Sequence, residues 1–486
     1  MIMKAKNLLF ILSDQHARRF SGCYGHPLVK TPHLDALARR GTRFTQAYTP
    51  APICVPARAS LATGRYVHEI GYWDNATPYL GTPDSWGHRL QRNGHRVLSI
   101  GKLHYRNSTD DVGFDEERLA MHVIDGEGML FSLIRDPIPS QKKFRMMVED
   151  SGPGTSNYTR YDGDITAEAE RWLTTESAQS NGKPWALFVS LVCPHPPFIS
   201  PPEFYDLYDR QQIPMPKSYL PGQRPSHPAL EDFRRFFCVE NPFDEETLHR
   251  VQAAYFGLTS YLDHNIGRIL AALEKAGLSE NTRIIYTSDH GESLGQKGMF
   301  SKCNFFEESV GIPMIIAGPD IRSNHVVDTP VSLIDCFPTI LQGVGAPFAA
   351  DDNDLPGYSL FDIAEGLKPD RFILSEHHSV GAKSAIFMIR NGKFKYVYHH
   401  HLEPMLFDLE NDSEELVDLA QDVAYRSIRY NCHTALLSML DPATVDARAK
   451  NSQHRRVVAA GGIEAIMAKG TPGHTPAPGE IPVYVR

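Results

Sequence analysis

Short, unbroken apolar runs alternate with longer stretches of helical period through the first two-thirds of this chain. The runs at 7–12, 96–100, 185–191, 283–287 and 313–317 read as strands. Each is apolar on successive residues, as expected of strands covered on both faces in a mostly parallel sheet. Between them, 32–40, 165–174 and 245–276 carry apolar residues at helical spacing. This alternation predicts an α/β fold: a large, mostly parallel central sheet flanked by helices. In such sheets ligands bind beyond the carboxyl ends of the strands.

From about residue 370 the pattern changes. Residues 384–390 and 393–400 are β-rich, and Asn391-Gly392 between them is a strong hairpin signal. A further strand is expected at 405–409, and a helical region from 414–419 onward. Two domains follow: 1–369, and 370–486 as a smaller antiparallel sheet with packed helices and an extended tail. The tail segment 470–479 is rich in proline and glycine and has neither period. It is expected to be an arm, either disordered or docked on a neighbouring subunit in a homo-oligomer.

Composition adds mainly exclusions. The 486 residues are 42% hydrophobic and 22% charged, ordinary for a globular chain. A net charge of -9 without a long run of one sign leaves no footprint for nucleic acid. Seven scattered cysteines suggest neither a disulfide framework nor a zinc cluster. The first apolar run is too short for a signal peptide or a membrane span, and no small-residue cleavage site follows it. A cytoplasmic location with no membrane partner is the expectation.

The polar residues that matter stand at strand ends. Asp14-Gln15 closes the first run, and Asp289-His290-Gly291-Glu292 follows the fourth. Taken singly, an aspartate after a strand is more often a turn cap. Together, two carboxylates, a carboxamide oxygen and an imidazole can hold one divalent metal ion. Gly101-Lys102-Leu103-His104 and Pro194-His195-Pro196 follow two further strands, and Lys302 precedes Phe305-Phe306-Glu307-Glu308. The most specific stretch is Cys54-Val55-Pro56-Ala57-Arg58, continued by Leu61-Ala62-Thr63-Gly64-Arg65.

That stretch, Cys-x-Pro-x-Arg with Leu-x-Thr-Gly-Arg, resembles the signature of the type I, formylglycine-dependent sulfatases of the alkaline phosphatase superfamily. Gly101–His104, His195, Lys302 and Asn75 also match family positions, in family order. So do 31–38, 44–48, 332–339 and, in the second domain, 406–412. The resemblance implies an alkaline-phosphatase-like sandwich. It implies that a separate maturation enzyme oxidises Cys54 to formylglycine, whose hydrate is the nucleophile and a further metal ligand beside Asp14, Gln15, Asp289 and His290. Lys102, His195, Lys302 and Asn75 would hold the sulfate, and Arg58 would orient the formylglycine diol. His104 would take the proton that expels sulfate from the hemiacetal. His195 or Lys302 would protonate the leaving alkoxide. The oxygen-rich ligands suit calcium or manganese, and His290 tilts the choice towards manganese.

The implied activity is that of a sulfuric ester hydrolase, arylsulfatase-like, acting on a small-molecule sulfate ester. A phosphonate monoester or phosphodiester hydrolase would share most of these residues, but Lys102 and His104 favour sulfate. A choline sulfatase would cage its quaternary ammonium with acidic and aromatic groups, and 376–382 offers no second acid beside its Gly-Ala. A non-catalytic binding protein on the same fold would keep Cys54 as a thiol. The leaving group is the business of variable loops, and 119–161 and the C-terminal end look individual to this chain.

Overall fold

The first strand, Asn7–Asp14, is buried along its whole length and lies inside an eight-stranded sheet. The computed structural model describes residues 4–178 and 182–485. Across the sheet the order is His325–Val327, Gly41–Phe44, Met314–Ala317, Thr282–Ser288, Asn7–Asp14, Ala186–Pro194, Val97–Lys102 and Glu116–Met121. From Thr282–Ser288 to Glu116–Met121 every pairing is parallel. Met314–Ala317 runs antiparallel to both its neighbours. All five predicted strands are therefore present, the fifth reversed. The three missed strands lie at or near the sheet's two edges, where short, partly polar segments give little signal.

Successive residues of the first strand point to opposite faces. Leu8, Phe10 and Leu12 pack with the helix Cys54–Thr63 and the helix Cys336–Val344. Leu9 and Ile11 pack with the helices Asn157–Thr175 and Glu245–Lys275 on the other face. Two buried faces are why the strand reads as continuously apolar. The helix expected at 165–174 begins earlier, at Asn157, because Ser156 caps it by accepting from the Thr159 amide. Its first turns bury Tyr158, Tyr161 and Asp162, which blurs the apolar period.

The C-terminal sheet is antiparallel: Ile373–His377, Ile386–Asn391, Phe394–His399 and Met405–Asp408, in chain order. The hairpin is present, but its two turn residues are Gly392-Lys393, one residue later than expected, because Asn391 ends its strand paired with Phe394. The helical start expected at 414–419 is not there; the helix begins at Arg426. Acidic side chains take up the backbone instead. Asp418 accepts from the amides of Leu406 and Ala420, Asp412 from that of Val417, and side chains that bond backbone in this way compete with helix. All seven cysteines are free. No helix among the described residues is long and apolar enough to cross a membrane.

Candidate active site

The carboxyl ends of four parallel strands meet the amino end of the helix Cys54–Thr63 at one buried point. Asp14 is the last residue of its strand, beside Pro194 of the next. Lys102 ends Val97–Lys102, and Asp289 follows Thr282–Ser288. Two glycines let the backbones close in. At Gly101, φ is +98° and a Cβ would stand 2.3 Å from the Ser190 carbonyl oxygen. At Gly291 a Cβ would stand 2.0 Å from the Glu308 carbonyl oxygen. Gln15, His104, Ser301 and Cys303 all have positive φ without being glycine. Such conformations gather where surroundings hold a site in place.

Every site residue expected from the sequence is buried here; the most exposed, His195, keeps 9% of its surface. Asp14 divides its oxygens. Oδ2 receives Lys102 Nζ at 2.6 Å and Arg58 Nη2 at 3.1 Å, and Oδ1 faces Cys54 Sγ and His290 Nε2, each at 3.8 Å. Asp289 does the same, with Oδ2 on Arg58 Nε at 2.8 Å and Oδ1 at 3.6 Å from His290 Nε2. Burial alone would push the Asp14 carboxyl up. Lys102, Arg58 and Lys302 outweigh it and hold the group well below the usual carboxylate range. Arg58 also donates to the Lys102 carbonyl and to Ser190, so its bonds go to the two carboxylates and the strand ends.

The donor set fits a divalent cation. One ligand atom each from Asp14, Cys54, Asp289 and His290 lies within 4.8 Å of the others. The His290 Nδ1 meets the Gly291 carbonyl at 3.1 Å. A carbonyl can only accept, so Nδ1 carries the proton and Nε2 presents its lone pair to the cluster. Gln15 is oriented likewise: its Nε2 donates to buried Glu292, which leaves Oε1 on the site side, 2.6 Å from Lys302 Nζ. Glu292 also accepts from the amides of Leu294 and Ser301. Its supporting role has no sequence signal beyond its place after Asp289-His290.

Cys54 is the first residue of its helix, where backbone amides point at an anion. Its Sγ lies 3.1 Å from His290 Nε2 and 3.3 Å from Lys302 Nζ. Burial and Asp14 push the thiol up, but Lys302, Lys102 and His290 bring it below its ordinary value. Asn75 Oδ1 accepts from the Val55 amide at 3.0 Å, so this side chain caps the helix as well as lining the pocket. His195 Nδ1 donates to the Pro196 carbonyl at 2.6 Å. Burial, then Lys302, holds His195 well below the usual imidazole range. Burial, then Lys102, does the same for His104.

The pocket at Cys54 is lined by Lys102, His195, Lys302 and Asn75 and by the apolar side chains of Ile53, Phe144, Phe236, Phe237 and Val380. Phe144 belongs to the 119–161 insert. The C-terminal arm completes the rim with Gly473, His474 and Thr475. Sequence reasoning missed this wall, because contacts between segments so far apart leave no local pattern. The arm expected to be disordered or bound to a neighbour lies on its own chain.

Known proteins resemble this chain in sequence and fold. The sulfatase family model matches residues 6–346, and that of the N-sulphoglucosamine sulphohydrolase C-terminal region matches 295–441. The choline-sulfatase of Rhizobium meliloti (strain 1021) is 30% identical over 477 residues, covering 93% of this chain and 90% of that protein. Arylsulfatase K of Canis lupus familiaris is 28% identical over 474 residues, covering 91% and 84%. The solved phosphonate monoester hydrolase of Agrobacterium radiobacter has a TM-score of 0.72 at 25% identity, covering 91% of this chain and 96% of that one. The chain belongs to the sulfatase family and is an enzyme of sulfate ester hydrolysis.

Proposed function

We propose that this sulfatase acts on sulfate monoesters of apolar, chiefly aromatic, alcohols, with Cys54 converted by a maturation enzyme to formylglycine. One observation carries the substrate class. The pocket joins a cationic floor to an uncharged apolar wall, and none of the described residues lining it is acidic. A phenyl-sized group buried on Phe144, Phe236 and Phe237 gains about 1.5–3 kcal/mol. That supports a preference of roughly ten- to hundredfold. A quaternary ammonium would find no counter-charge there. Glu376, the one acid of 376–382, is taken up by the ring and amide of His68 and by His378, at 2.9–3.0 Å.

Asp14, Gln15, Asp289 and His290 would hold one divalent ion, manganese or calcium, which supplies positive charge for the sulfate and lowers the pKa of a bound hydroxyl. Formylglycine at position 54 would supply that hydroxyl as the nucleophile, from a side chain whose Sγ in the encoded cysteine lies 3.1 Å from His290 Nε2 and 3.3 Å from Lys302 Nζ. The chain's own groups do the rest. Lys102, Lys302 and Asn75 donate to sulfate oxygens from fixed positions, where charge builds up at the transition state. Arg58 keeps both carboxylates aimed. His195 is neutral, with its proton on Nδ1 donated to the Pro196 carbonyl, and so presents Nε2 as an acceptor. Lys302 stands among Asp14 and Asp289, which favour its charged form against its burial. Lys302 is therefore the better acid for the leaving oxygen. His104 takes a proton in the step that frees inorganic sulfate.

The test is a panel of esters with protein made beside a maturation enzyme. 4-Nitrophenyl sulfate should exceed choline sulfate, a sugar sulfate and a phenyl phosphonate monoester in kcat/KM. Choline sulfate as the best substrate would overturn the substrate class, and a phosphonate as the best would overturn the assignment to sulfate. Mass spectrometry of the Cys54 peptide should show the aldehyde; an unmodified thiol in fully active protein would remove the nucleophile proposed.

A further inference from the structure

After the helix Ile463–Lys469 the chain turns back over the pocket, and its course is fixed at several points. Thr471 and Val485 exchange two backbone hydrogen bonds of 2.9 Å, closing the arm into a loop. Lys469 lies over the Tyr484 ring, 5.2 Å from its centroid. Ala477 is buried in the apolar cluster that includes Tyr158, Tyr161 and Ile165. The Tyr158 hydroxyl donates to the Thr475 carbonyl.

These anchors set two side chains against the candidate imidazoles. Thr475 Oγ1 lies 2.7 Å from His104 Nε2. The Tyr158 ring stands edge-on to both His474 and His195, with centroids 5.3 and 5.7 Å away. The other nitrogen of His104, Nδ1, is buried with no hydrogen-bond partner among the described residues. One ring nitrogen is thus held by the arm and the other is left free.

We infer that the arm 470–485 is a working part of its own chain's active site, in which Thr475 is the positioning residue for His104 and His474 closes the rim. His104 has a backbone φ of +62°, and the one hydrogen bond its imidazole makes among the described residues is to Thr475, near the far end of the sequence. Without that bond the ring could turn about its side-chain torsions and lose its aim. This inference rests on the reading that His104 takes a proton in sulfate release.

The test uses the full-length enzyme, matured, on whichever ester it turns over best. Thr475→Val keeps the packing and removes the hydroxyl; Thr475→Ser restores it. The valine variant should lose roughly tenfold in kcat, the worth of one hydrogen bond, with KM falling alongside it so that kcat/KM is little changed, and the serine variant should stay close to wild type. The first-turnover burst should keep its rate while the steady phase slows. In a His104→Ala background, Thr475→Val should cost nothing further, because its effect passes through His104. Wild-type kcat in the valine variant, or a loss that multiplies with that of His104→Ala, would overturn the inference. A His104→Ala enzyme as fast as wild type would instead sink the reading on which it rests. Mixing the Thr475→Val and His104→Ala proteins should restore no activity; restoration would place the arm in a neighbour's pocket and overturn its assignment in cis.

Discussion

At the scale of single residues, the chemistry turns on which group carries a proton to give. His195 and Lys302 both line the pocket, but a neutral imidazole already committed to the Pro196 carbonyl has only a lone pair left. Lys302 has three protons when charged, the form that Asp14 and Asp289 favour. Its loss should therefore depend on the leaving group. Lys302→Ala should cost roughly 10²-fold in kcat/KM on 4-nitrophenyl sulfate, through lost transition-state charge. On an alkyl sulfate, whose alkoxide needs a proton to depart, the cost should be at least another tenfold. Equal losses on both substrates would return the acid role to His195. His290 sets the character of the metal site in the same way. His290→Asn replaces the imidazole by an oxygen and should move metal preference towards calcium. Elemental analysis and metal-dependent shifts in melting temperature read this without reference to turnover. Full activity in exhaustively chelated protein with no bound metal would rule the site out.

At the scale of elements, the two sheets are joined through ionised groups rather than only through apolar contact. Lys395, in the C-terminal strand Phe394–His399, is fully buried and meets Glu307 at 2.6 Å and Glu415 at 2.7 Å. Glu307 also receives Arg18, which follows the first strand's metal-site end. Removing one partner leaves a buried charge uncompensated, which costs about 3–5 kcal/mol. Lys395→Ala should therefore lower stability by that order in urea unfolding, while Lys395→Met, which keeps most of the volume, should behave little better because both glutamates remain. A variant as stable as wild type would mean that water or a shift of Glu415 repays the loss. This joint also marks the limit of what the sequence could tell. The strands at 7–12, 96–100, 185–191 and 283–287 were legible because burial on both faces leaves an uninterrupted apolar run. Asp14, Lys102, His195 and Asp289 were legible because they stand at the ends of those runs. The helix expected at 414 failed because Glu415 and its acidic neighbours are spent on distant backbone and on Lys395. The wall of Phe144, Phe236 and Phe237, and the seat of Thr475, depend on tertiary contacts that no local period encodes.

At the scale of the whole molecule, folding takes many titratable side chains out of water, and their balance sets how stability responds to acid. His26 and His474 are brought down to about 4 and His377 to about 3, in each case chiefly by burial. Such groups stay neutral in the folded chain while the unfolded chain takes up protons below the ordinary imidazole value of 6.5. The unfolded state then binds more protons, so stability falls as pH drops from about 6.5 towards 4 and below. Two buried acids pull the other way: Asp162 and Asp263 are raised by burial to about 6 and about 7. They stay protonated in the fold where the unfolded chain has lost its protons, and so they oppose the histidines between about pH 4 and 7. Glu376 and Glu308, held at about 2 by His68 and Lys297 against their burial, join the loss only below the carboxylate value of 4.5. Because these terms overlap, a single variant separates them better than the whole curve. His377 is buried, with Nε2 on the Val380 carbonyl at 3.0 Å, and it lies outside the proposed metal ligands. His377→Gln keeps a donor and removes the titration. Its stability deficit relative to wild type should be largest above pH 7. Below pH 6.5 the deficit should shrink by about 1.4 kcal/mol per unit, one proton's worth. Paired urea titrations from pH 8 to 5 measure it, and a deficit that stays constant across that range would show that His377 is protonated in the folded enzyme.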